Sequence, residues 1–170
     1  MTNHPRQLQK RTDICIRLAA ESLRRYEAVI GTLRPPIPIE DLAQWHEFQV
    51  VRLGTLPQEC SALVSLKDRL IGVNAKHHPR RQRFSIAHEL AHVLLNHPPE
   101  TKCTSRQIAV FNAEADECAA ELLMPEKLIR TFMAHTSSLS GLALLFDVSE
   151  EAVGLKLKRL DLMGNPSTGT

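Results

Sequence analysis

The sequence predicts an α+β fold, a small β-sheet packed on helices and followed by a helix-turn-helix-like helical tail. Three observations carry this expectation. Apolar residues recur at helical spacing towards both ends of the chain. Three short strand-like runs stand close together before residue 75. Directly after them comes a helical stretch, FSIAHELAHVLLNH from Phe84 to His97, around which the rest of the chain is organised.

The bounds are simple. A chain of 170 residues suits one compact domain and can bury a real core. A formal charge of +2 gives no global electrostatic case for nucleic acid or a membrane surface. No apolar run approaches the ~20 residues of a membrane span, and MTNHPRQLQKRTD lacks the apolar core of a secretory signal. Cys15, Cys60, Cys103 and Cys118 stand far apart and read as single reduced thiols, so a cytoplasmic location is expected.

In chain order, residues 1–12 are expected to be a flexible N-terminus. A helix should run from Asp13 to about Ile30, ended by Gly31, and a short one from Ile39 to about His46. Trp45 is expected as a core anchor. Strands are expected at Phe48–Leu53, Ser61–Leu66 and Arg69–Asn74, the last two joined by a tight hairpin at Lys67-Asp68. After Pro98 and Pro99 a polar connection should reach Asn112, and AEADECAAELLMP should then form a helix. Its Ala115, Cys118, Ala119, Leu122 and Leu123 make a stripe of mostly small residues that permits close helix approach. Pro125 can open a further helix to about Ala134. The main domain, which contains the FSIAHELAHVLLNH stretch, is expected over 13–135 and the helix-turn-helix-like subdomain over 136–162. There Ser149 serves as an N-cap, and 163–170 is expected to be disordered. The basic residues Lys156, Lys158 and Arg159 in that tail form too sparse a cluster to favour a DNA reader over a protein-recognition module.

The chemistry lies in the central helix, with Ser85 as its expected N-cap. His88-Glu89-Leu90-Ala91-His92 is an H-E-x-x-H pattern. Residues four apart on an α-helix differ by about 40° around the axis, so both imidazoles project from one face. They can take two corners of a zinc site, with Glu89 beside them as the general base that holds the metal-bound water. A zinc site of this kind completes its protein ligands with a carboxylate, and Glu114 on the following helix is the favoured third ligand. Glu117 ranks next and Asp116 stays open. His97 fails the metzincin spacing. The basic stretch Lys76–Arg83 is either a solvated loop or a lip of the site, in which case His77, His78 or Arg83 could stabilise a developing oxyanion.

Three blocks in order, RRQRFSIAHELAHVLL, EADECAAELLMP and LALLFDVSEEAVGLKLKRL, resemble the ImmA/IrrE family of bacterial metallopeptidases. The resemblance covers most of the chain. It implies a gluzincin-like (zincin) fold, His88 and His92 as metal ligands, Glu89 as general acid/base and Glu114 as the third ligand. It also implies zinc, with manganese as an alternative. The implied role is proteolysis of a helix-turn-helix repressor that relieves repression in phage, mobile-element or stress systems. The other class is a non-catalytic module that sequesters a repressor or serves in a toxin–antitoxin pair. Two departures stand out: Cys118 where an aromatic is common, and Asn96-His97 after VLL where the family often has His directly.

Overall fold

The structure, a computed structural model, describes residues 4–136 and 138–162. The expected disorder at 163–170 falls outside the described residues, as do residues 1–3. Helix α1 spans His4–Ile30, beginning well before Asp13, and α2 spans Ile39–Trp45. Strands β1 (Gln49–Leu53), β2 (Ala62–Ser65) and β3 (Leu70–Asn74) follow, then α3 (Pro79–Leu94), α4 (Ser105–Leu123), α5 (Glu126–Met133), α6 (Leu139–Phe146) and α7 (Glu150–Arg159). This is the α+β architecture expected.

The sheet order is β1-β3-β2, with β1 parallel to β3 and β2 antiparallel to it. Strand β3 is therefore central, and Ile71 and Val73 are fully buried. Gly72 admits the neighbouring strands closely: a Cβ there would lie 2.7 Å from Leu53 Cδ1. Among the described residues strand β2 keeps one edge unpaired, and it lies beside α3.

Two further helices begin earlier than their sequence signals suggest. For α3 the N-cap is His78, whose Nδ1 accepts from the Arg80 backbone N–H at 3.2 Å, and Pro79 takes the first turn where its missing N–H costs nothing. Ser85, the expected cap, lies inside the helix and donates to the Arg81 carbonyl at 2.9 Å. For α4 a capping box of Thr104 and Gln107 starts the helix, so the supposed polar connection is helical from Ser105. The small-residue stripe of α4 is buried as expected, with Ala115, Cys118, Ala119 and Leu122 at 0% exposure, and α4 packs between α3 and α1. Burial of each large apolar side chain such as Leu122 or Leu90 contributes about 1.5–3 kcal/mol. Trp45 sits at the margin of this core, half-buried against Tyr26 with ring centroids 5.8 Å apart.

The tail is packed onto the body. Phe146, Leu142, Val153 and Leu157 belong to the same apolar cluster as α3 and α4. Lys156 pairs with Glu121 out of solvent, and Arg159 pairs with Glu117. At the corner between α6 and α7, Asp147 (φ 51°) receives Arg80 at 3.2 Å and Arg83 at 3.3 Å.

Candidate active site

Because α3 is helical throughout, His88 and His92 stand one turn apart, and their Nε2 atoms converge to 3.0 Å. Two nitrogens bound to one zinc at about 2.0–2.1 Å each would sit at roughly that separation. Each ring is braced from behind. Asp116 Oδ1 lies 2.8 Å from His88 Nδ1, which favours the Nδ1–H tautomer and leaves the Nε2 lone pair facing its neighbour. His97 Nδ1 lies 2.9 Å from His92 Nδ1.

The position of His97 follows from the end of α3. Asn96 adopts a left-handed conformation (φ 52°), which asparagine tolerates, and the chain doubles back so that the His97 N–H donates to the His92 carbonyl at 3.0 Å. The His97 ring is then stacked on Phe111 at 4.5 Å and reaches Glu114 Oε2 with its Nε2 at 3.1 Å. The other Glu114 oxygen accepts from Arg11 of α1. Glu114 is thus two contacts removed from the histidine pair. Asn112, one turn before Asp116 on α4, lines the same cleft as both imidazoles.

The electrostatics follow from burial and these neighbours. Burial pushes the Glu89 carboxyl up to about 7, where it can hold or release a proton near neutral pH. Burial, with His88 and His97 nearby, pulls His92 down to about 4 and keeps it a neutral lone-pair donor. Burial also opposes charge on His88, but the Asp116 carboxylate outweighs it and holds this imidazole above its usual range.

These groups line an open cleft of about 910 Å³ between α3 and the free edge of β2. Its walls include Leu63, Val64 and Leu66 on one side and Phe84, Val93 and Asn112 on the other. His77, His78 and Arg83 do not line it. His77 is buried with its Nε2 at 2.9 Å from the Gln58 carbonyl, His78 caps α3, and Arg83 donates to the Ile37 carbonyl at 2.9 Å beside Asp147.

Do these residues fit a metal? The two converging imidazoles with hydrogen-bonded Nδ1 atoms do. A third anionic donor is not part of the set: among the described residues, no group of three or more His, Cys, Asp or Glu side chains is arranged to hold an ion. The residues that sequence reasoning missed are Asn112 and His97. The signal for the first was present: Thr104-x-x-Gln107 is a capping-box pattern, and it places Asn112 and Asp116 on one face of a helix.

Comparison with known proteins bears on the fold and the family. A sequence search of curated proteins gives no match. Among solved structures, a Mycobacterium tuberculosis transcriptional regulator superposes with a TM-score of 0.60 at 18% identity, covering 93% of this chain and 48% of that one. The likeness is one of fold, and this chain spans about half the length of that protein. The profile of the IrrE N-terminal-like domain, a peptidase family, matches residues 46–158, from the end of α2 almost to the end of α7. With its H-E-x-x-H helix, braced histidines and cleft inside that match, the chain belongs to the IrrE N-terminal-like domain family of peptidases.

Proposed function

We propose that this protein is a metal-dependent endopeptidase, zinc being the expected metal, that acts on a helix-turn-helix transcriptional repressor. The observation that carries the reading is Glu89: a carboxyl with a near-neutral pKa, adjacent to two converging imidazoles and opening on a cleft. An extended substrate segment would add to the free edge of β2 by main-chain hydrogen bonds, with Leu63 and Leu66, both exposed, contacting its side chains. His88 and His92 would hold the metal, which when bound supplies a Lewis acid and an acidified water. Glu89 takes a proton from the attacking water and returns it to the leaving amine. Asp116 and His97 keep the two imidazoles in register throughout.

The choice of a repressor as substrate rests on the family resemblance, and the transcriptional regulator among similar structures supports it only by its fold. Recognition of protein rather than DNA is supported by the tail, where Lys156 and Arg159 are already paired with Glu121 and Glu117. A second reading, capture of a repressor without cleavage, is favoured by one observation, the neutral Asn112 beside the histidine pair. The test is incubation of the zinc-supplemented protein with helix-turn-helix repressors encoded beside it, with products identified by mass spectrometry. Cleavage that disappears in Glu89→Gln supports the peptidase. A stable complex with no cleavage by either protein supports capture.

A further inference from the structure

We infer that Asn112, not Glu114, occupies the third position beside His88 and His92, and that this makes the site a low-affinity zinc centre, loaded only when free zinc is plentiful. The inference deepens the reading above and rests on its metal site.

The placement follows from the geometry of α4. Successive residues turn by 100°, so Asn112 and Asp116 share one flank of the buried Ala115–Cys118–Ala119–Leu122 stripe. Glu114, Glu117 and Glu121, three and four residues apart, share the other. The first flank meets α3: Asp116 Oδ1 lies 2.8 Å from His88 Nδ1, and Asn112, one turn earlier, lines the cleft together with His88 and His92. On the second flank each carboxylate already has a cation, Arg11 for Glu114, Arg159 for Glu117 and Lys156 for Glu121. Glu114 is engaged by His97 as well, so ligating a metal would cost it both partners.

The consequence is chemical. A catalytic zinc site of the two-histidine type takes a carboxylate as its third protein ligand, which adds a negative charge and a strong oxygen donor. A carboxamide brings an oxygen but no charge. Asn112 is also the point on the molecule where one substitution would complete the set, since Glu at this position is only one methylene longer and carries the missing charge.

The experiment is competition for zinc with a chromogenic chelator, using the full chain and the variants Asn112→Glu and Glu114→Gln, with folding followed by circular dichroism. Asn112→Glu should tighten zinc binding by about tenfold or more, the scale at which even supporting groups of a metal site act. Glu114→Gln should leave the affinity within about threefold. A tenfold loss in Glu114→Gln, or an unchanged affinity in a folded Asn112→Glu, overturns the inference. Should Asn112→Glu fail to fold, the isosteric Asn112→Asp takes its place: it adds the charge without the extra methylene and should also tighten zinc binding, and an unchanged affinity there overturns the inference. Cleavage is read separately. Tighter zinc in Asn112→Glu with no cleavage by any variant removes the peptidase reading and leaves this assignment standing.

Discussion

The two flanks of α4 carry similar acidic and amide side chains, yet they do opposite things. On the Glu114–Glu117–Glu121 flank every carboxylate meets a cation, and the innermost pair, Glu121 with Lys156, is almost wholly removed from water. On the Asn112–Asp116 flank the partners are imidazoles whose Nε2 atoms face one another at the cleft. Charges that are fully matched inside the protein hold elements together. Donors left convergent at an open cleft can act on something else. The difference separates structure from chemistry on one helix of nineteen residues.

The largest effects should fall on different properties at the cleft, where α3 meets the Asn112–Asp116 flank, and on the Glu114–Glu117–Glu121 flank. For the catalytic side, Glu89→Gln should lower cleavage of the true substrate about 10²-fold or more while zinc binding and unfolding midpoint stay near those of the parent. Steady-state cleavage and a urea melt, run together, check this. For the structural side, Lys156→Met leaves Glu121 as a buried, unpaired carboxylate, and stability should fall by about 3–5 kcal/mol. Urea unfolding followed by circular dichroism measures it. Replacing both members, Lys156→Met with Glu121→Leu, should restore most of that loss, and no recovery would mean the pair is not the cause.

Smaller effects sharpen the picture. Asp147 is partly exposed, so Asp147→Asn, which keeps a residue that tolerates the left-handed backbone, should cost no more than about 1 kcal/mol although it removes the charge that faces both Arg80 and Arg83. Burial pushes the Cys15 thiol up to about 11 and Cys118 up to about 12, so both remain protonated and shielded at pH 8. A thiol-labelling reagent should therefore modify the half-exposed Cys60 and Cys103 first, as peptide mapping would read.

Much of this was legible in the sequence, for identifiable reasons. The three strands, α2 and the two tail helices announce themselves by apolar period and by caps such as Ser149. The histidine pair is a local feature, because helical spacing alone sets His88 beside His92. The third position is not local. Asn112 and Glu114 flank the same buried stripe, one on each side, and the stripe itself does not say which flank meets α3. That is fixed by α1 and α7, which supply Arg11, Lys156 and Arg159 to the Glu114 side. The capping box at Thr104 would have brought Asn112 into the helix, but the flanking Pro98 and Pro99 and the polar run after them read more strongly as loop. His97 escaped for a different reason. Its spacing rules it out as a helical ligand, and only the left-handed turn at Asn96 returns it behind His92.

The measurement that bears most directly on the site is anomalous diffraction at the zinc edge from crystals of the full chain equilibrated with zinc. The expected result is one ion bound by Nε2 of His88 and of His92, with Asn112 beside it and Glu114 still held by Arg11 and His97. An ion ligated by Glu114, or one bound away from the histidine pair, would contradict the division of α4 into a chemical and a structural flank.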